Sequence, residues 1–359
     1  MNTHKNLSLC TALCLGLVLL ATSSAFAVVG DIAIFREAAG TNAITTANFD
    51  HTFDTVVRDT GNYSLTGSDI SITEAGHYLA LYNSRFDSTG GSDRSEIQSQ
   101  LVVDGLDVSI GWSQGYIRRT SGADEAITAG GGIIEGGAGS TLSLRSFRTD
   151  NNGAGVQREP NATGIQLVQL DDSWDYLRLS ATANQTGPAN ATYIDVTYDT
   201  QDELDAGSFA HASGSGDITL ATAGHYMVLA NTYFQKPANT TRTGFQQRLT
   251  IDGNELNGSL TTVYVRGNED SNDGATSIGT IIETTADNQI LNVEVNKLTG
   301  TAPDILGGRT GLTIVKLPDT GDFIRLEDST AQDFNPATTT AIGWDTELEL
   351  DATGFTQSG

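Results

Sequence analysis

Histidine is the side chain best suited to proton transfer and metal binding near neutral pH. This chain sets one at the same point twice, in Ala75-Gly76-His77-Tyr78 and Ala223-Gly224-His225-Tyr226. Neither histidine has a His, Cys or Glu beside it at a usable ligand spacing, which a metal site requires. The expected role is therefore structural, with glycine and tyrosine fixing the start of a strand. Two arginine pairs also recur, Arg94 with Arg242 and Arg118 with Arg266. They suit either an anion or sugar site or salt bridges along an interface between modules, and the interface is expected.

Acidic loops are the candidate metal sites. Asn268-Glu269-Asp270-Ser271-Asn272-Asp273-Gly274 sets oxygen donors around a glycine turn, as calcium prefers, with Asp270 and Asp273 as the carboxylate ligands. Asp150-Asn151-Asn152-Gly153 is a thinner version. Neither keeps the EF-hand spacing, and such strings also make plain turns. No other cofactor is expected. His-Glu-x-x-His and a phosphate loop are missing, and no catalytic residue is assigned. Paired carboxylates stay open, because 44 acidic residues offer too many pairs. Gly130-Gly131-Gly132 precedes a strand rather than a helix and reads as a turn.

The 359 residues carry 44 acidic against 19 basic side chains, for a net charge of −25, which argues against nucleic acid as a partner. Glycine (40) and turn-forming residues abound, favouring short strands over long helices. Residues 1–27 read as a signal peptide: His4 and Lys5, an apolar run from Leu13 to Ala21, then Ala25-Phe26-Ala27. Cleavage is expected between Ala27 and Val28. Cys10 and Cys14 leave with the peptide, so the exported chain has no disulfide. The apolar run is too short to span a membrane. An acidic, cysteine-free exported chain points to a bacterial extracellular protein, and high-salt or marine surroundings fit its charge.

A repeat organises everything else. An ungapped offset of 148 residues carries His77 to His225, Phe86 to Phe234, Arg94 to Arg242 and Gln98 to Gln246. It also carries Asp104-Gly105 to Asp252-Gly253, Tyr116 to Tyr264, and Ile133-Ile134-Glu135 to Ile281-Ile282-Glu283. A period of this length is a whole domain rather than a solenoid unit. The expected organisation is module 1 at 28–171, module 2 at 172–318, and the opening of a third at 319–359. Tyr176-Leu177-Arg178-Leu179 corresponds to Phe323-Ile324-Arg325-Leu326. About five residues join the modules, roughly 17 Å at full extension, so side-by-side packing is expected.

Within each module, short β-rich runs such as Tyr78-Leu79-Ala80-Leu81-Tyr82 and Ile165-Gln166-Leu167-Val168 alternate with Asp-Gly and Asn-Gly turns. The expected fold class is all-β, as tandem β-sandwiches or barrels.

The motif order resembles a known family. Glu74-Ala75-Gly76-His77-Tyr78 opens an alternating strand, then come a Leu-x-Val/Ile-Asp-Gly hairpin (Leu101 to Gly105, Leu249 to Gly253) and a Gly-Ile-Ile-Glu strand. Leu142-Ser143-Leu144 and a closing Thr-Gly-Ile/Leu strand follow. This resembles the globular domain of complement C-one-q and the tumour necrosis factor superfamily, here as a bacterial tandem version. Ala138-Gly139-Ser140 and Ala286-Asp287-Asn288 stand where the family usually has Gly-Asp. The resemblance implies ten-stranded jelly rolls that pack in threes, so other copies of the module are expected partners. The functional expectation is a secreted, non-enzymatic binding or structural protein for adhesion, matrix assembly or ligand capture of surface glycans or proteins. The alternative is an extracellular carbohydrate-active enzyme or its accessory module, using exposed aromatics Trp112, Trp174 and Tyr264.

Overall fold

A computed structural model describes residues 31–38, 42–90, 94–117, 125–149, 155–189, 191–236, 242–265, 272–318, 324–327 and 346–350. The expected signal segment with Ala27 and Val28, Asp150 to Gly153, Arg118, Arg266 and Asp270 lie outside them.

The described chain is almost wholly strand, and residues 28–317 form one compact unit. In its first half, one sheet runs Ala43–Ile44, Gly155–Arg158, Gly76–Gly90, Thr163–Gln169, Ile32–Glu37, Thr55–Asp59, and Glu125–Gly136 pairs the other edge of Gly76–Gly90. The facing sheet runs Ser113–Ile117, Ser95–Val103, Thr141–Arg148, Asp69–Ile72, Tyr63–Thr66. The first strand pairs with the last, Phe35 opposite Ile165. That long-range closure between two antiparallel sheets is the jelly roll. The second half repeats it: Tyr176–Ala181 pairs with Thr310–Lys316, and Gly224–Gln235 pairs with Asp273–Thr284. Apart from these, Ile324–Glu327 pairs with Thr346–Leu350, Arg325 opposite Glu349, with a register shift after Arg325. The same pairing and shift occur at Arg178 and Glu203.

Period-two patterning fixes which side chains face where. On Gly76–Gly90, Tyr78, Ala80, Tyr82, Ser84 and Phe86 are buried, which turns His77 to the opposite face of the sheet. Asp104-Gly105 and Asp252-Gly253 make the hairpin turns expected of them, with left-handed φ values of 50° and 80°, and 50° and 76°. Hydrogen bonds from the Thr141 backbone N–H and the Ser140 hydroxyl hold the Asp104 carboxyl below its usual pKa.

Gly130-Gly131-Gly132 is not a turn. It lies inside the strand Glu125–Gly136, opposite Tyr82, Leu81 and Ala80. A Cβ on Gly131 would stand 2.4 Å from the Ala80 carbonyl oxygen, and one on Gly132 would stand 2.3 Å from Ile110 Cγ2. The glycines are there so that backbone and a core side chain can approach closely. Gly131→Ala is expected to lower stability by about 1–3 kcal/mol in thermal unfolding. Gly137→Ala, whose Cβ meets only Ser140 Oγ at 3.6 Å, leaves the melting temperature nearly unchanged.

Candidate functional site

The two jelly rolls pack side by side through unlike faces, and chemistry-bearing residues collect in the seam. The joining segment is itself ordered: Asp171 Oδ1 accepts from Ser173 N at 2.8 Å, and its carbonyl accepts from Tyr176 Oη at 2.7 Å.

At one end of the seam the His77 ring stacks on Tyr176, with centroids 4.1 Å apart. Its Nδ1 lies 2.9 Å from Asp172 Oδ1 and its Nε2 lies 2.9 Å from Glu203 Oε1. The Arg178 Nε stands 2.8 Å from Glu203 Oε2 as an ion pair, and a terminal nitrogen of Arg178 donates to Glu135 at 3.0 Å. Burial pulls the His77 pKa down, and the hydrogen bonds to Glu203 and Asp172 more than reverse it, leaving it raised. Burial pushes the Glu203 carboxyl up, and His77 with Arg178 outweighs that, holding it below its ordinary value. The proton on His77 is therefore part of the join.

At the other end the Arg309 guanidinium lies 4.3 Å over the Trp112 ring and 5.0 Å from the Tyr233 ring, and donates to Gln98 Oε1 at 3.1 Å. Asp273 sits beneath it. Its carboxylate accepts from Tyr233 Oη at 3.1 Å, Gln235 Nε2 at 2.9 Å and Gln98 Nε2 at 3.3 Å. Arg309 completes its charge balance at 3.9 Å. Gln98 also donates to Tyr233 Oη, and Gln114 donates to the Asp273 carbonyl at 2.8 Å. The turn Ser109–Gly111 closes on the last strand at Gly311, where a Cβ would lie 3.3 Å from the Ile110 nitrogen.

Several sequence expectations change here. Trp112, grouped with the exposed aromatics, is 4% exposed, because Phe147, Tyr233 and Arg309 enclose it. Trp174 is half-buried, and Tyr264 is exposed. The seam does use arginines, but they are Arg178 and Arg309. Arg94 and Arg242 enter no ion pair among the described residues. Asp273, the one calcium candidate within the described residues, spends its carboxylate on donors from both halves. No group of three metal-binding side chains occurs among the described residues.

One constellation had no sequence signal. His51 Nδ1 lies 3.2 Å from Glu37 Oε2, and its Nε2 lies 2.7 Å from Ser146 Oγ. That is the order of a Ser–His–Glu nucleophile, assembled from segments far apart in the chain. Ser146 and His51 are both 0% exposed, which leaves a substrate no approach.

No protein-family model matches the chain, and no curated protein matches it. Similar solved structures include crystal structures of murine APRIL at pH 8.0, pH 8.5 and pH 5.0, at 12%, 13% and 12% identity and TM-scores of 0.29, 0.28 and 0.25. Each covers 39% of this chain and 98–99% of its own.

The seam makes two predictions. Asp273→Ala strands Arg309 and Gln98, and is expected to cost about 2 kcal/mol by denaturant unfolding. A folded pKa raised above the unfolded value near 6.5 gives stability that is present below that pH and is lost as pH rises through the folded value. Thermal unfolding of the parent should therefore show this loss as pH rises above about 6.5, and His77→Gln should remove that part of the profile.

Proposed function

We propose that this chain is a secreted, non-enzymatic binding or structural protein whose jelly rolls, of the tumour necrosis factor and C-one-q kind, join further copies of themselves. One observation carries the reading: the seam is heterologous. A face bearing His77, Gln98, Trp112 and Glu135 meets a different face bearing Tyr176, Arg178, Glu203 and Arg309. A head-to-tail contact leaves one face of each type uncovered by the partner half, and it propagates until it closes.

Sequence and exposure support the continuation. The second half repeats the outgoing face as His225, Gln246, Leu260, Tyr264 and Glu283. Leu260 and Tyr264 are 49% and 52% exposed. On the first half, the strand equivalent to Thr200–Leu204 is Thr55–Asp59, where Val56 and Val57 are 51% and 48% exposed. Its Arg58 takes the register position of Glu203, opposite Ile34. A cation there suits the carboxylate of Glu283 on an incoming copy. Repeated modules multiply weak contacts into firm attachment, which suits adhesion, matrix assembly or capture of surface glycans or proteins.

Gly111-Trp112-Ser113-Gln114-Gly115 fits a nucleophile motif in sequence, but Ser113 is buried at the start of the strand Ser113–Ile117, where its hydroxyl accepts from Ala129 N at 3.1 Å. This favours binding over catalysis, and enclosure of Trp112 weakens the carbohydrate-active alternative. Multi-angle light scattering should show concentration-dependent assemblies that Leu260→Arg with Tyr264→Asp abolishes. Strict monomers of the parent at high concentration contradict self-association. A glycan array beside a hydrolase screen separates the functional classes: turnover without tight binding contradicts the non-enzymatic reading.

A further inference from the structure

The two halves share a backbone but not a core. In the first half Glu37, His51, Ser146 and Arg158 are all buried, at 2%, 0%, 0% and 1% exposure. Strand register and repeat spacing assign their counterparts in the second half. Glu37 falls on Ala181, since Arg36 opposite Thr55 matches Ser180 opposite Thr200. His51 falls on Val196, one residue after Asp50 and Asp195 in their pairings with Arg145 and Glu294. Ser146 falls on Val295, and Arg158, opposite Phe86, falls on Ile305, opposite Phe234. Four polar or charged groups in one copy are four hydrocarbon groups in the other, and all four of these are buried too.

The consequence shows in the packing. The second half has one continuous apolar core that includes Val196, Val295 and Ile305. In the first half the core divides into a larger cluster around Phe35, Tyr78 and Leu144 and a smaller one around Ile44, Phe86, Ile97 and Val156. The polar cluster stands with the smaller one: the His51 ring lies 5.5 Å from Phe49 and 6.3 Å from Phe86, and the Arg158 guanidinium lies 4.5 Å over Phe49.

The charge balance of this cluster is the informative part. Arg158 pairs with Glu37, so one buried cation meets one buried anion. His51 is then satisfied as a neutral ring, donating from Nδ1 to Glu37 and accepting at Nε2 from Ser146 Oγ. Ser146 in turn is 2.7 Å from Ser99 Oγ, which is 2.7 Å from Thr128 Oγ1. Asp50, on the segment carrying His51, also acts on the ring, and Arg145 pairs with it at 2.7 Å. A proton on His51 would be a third buried charge with no counter-ion of its own.

We propose that the first jelly roll is an acid-responsive element: protonation of His51 opens its smaller core cluster, while the second jelly roll, with hydrocarbon at the same positions, stays closed. Burial, opposed only weakly by Asp50, lowers the His51 pKa to about 3 in the folded state. The unfolded value is near 6.5. The open form binds the extra proton, so stability is complete above about pH 6.5 and falls as pH drops from there toward 3. His77 acts in the opposite sense and at higher pH, so it does not mimic the effect.

Hydrogen exchange of the full chain, read by mass spectrometry from pH 7 to pH 4.5 and corrected for the intrinsic rate, tests this. Peptides covering residues 44–53, 142–148 and 155–158 should open about tenfold more per pH unit below 6.5, the slope of one proton. Peptides covering 194–198, 291–297 and 304–305 should show no such slope. Transplanting the second half's residues, Glu37→Ala with His51→Val, Ser146→Val and Arg158→Ile, should abolish the slope in the first half. Equal acid sensitivity in both halves, or an unchanged slope in the fourfold variant, overturns the proposal. If that variant does not fold, proton NMR of the parent decides. A His51 ring that stays neutral until the first half opens supports the proposal, and one that titrates near 6.5 within the folded state overturns it.

Discussion

A carboxylate kept from water needs donors, and Asp273 takes its donors from both jelly rolls. Gln98 of the first half and Tyr233, Gln235 and Arg309 of the second converge on it. Because Arg309 also lies over Trp112, removing any partner leaves a buried polar group unsatisfied or a ring uncovered. The His77, Glu203, Arg178 and Glu135 chain repeats that logic at the opposite end. A polar seam of this kind specifies one relative placement, whereas an apolar one would tolerate sliding.

That constraint explains why the copies have diverged. The first half must present Trp112 and Gln114 outward, and the second must present Tyr233 and Arg309 to receive them. Tyr233 stands where the repeat has Arg85, and Asp273 stands where it has Glu125, which forms an ion pair with Arg85 instead. One backbone thus carries two unlike surfaces. Inside, the divergence runs the other way: the first half keeps ionic groups where the second has aliphatic ones.

Much of this was legible in the sequence. The repeat, the Asp-Gly hairpins and the alternating Tyr78 to Phe86 strand define the two jelly rolls, because each is a local pattern with a fixed period. The seam was harder, since a residue on a strand's outer face looks the same whether water or another domain covers it. Trp112 therefore read as exposed. Gly130 to Gly132 read as a turn, because a close strand approach and a turn both select glycine. Glu37, His51, Ser146 and Arg158 carried no signal at all: their meeting depends on pairing between strands far apart in the chain, as with Glu37 opposite Thr163.

The central claim is that the halves form one unit through specific polar contacts across the seam. A double-mutant cycle on Trp112→Ala and Arg309→Ala, measured by denaturant unfolding of the full chain, addresses it most directly. The account predicts a coupling of about 1 kcal/mol or more, as for a largely desolvated cation over an indole. Strict additivity, within about 0.3–0.5 kcal/mol, would mean that the two side chains do not meet and would contradict the seam.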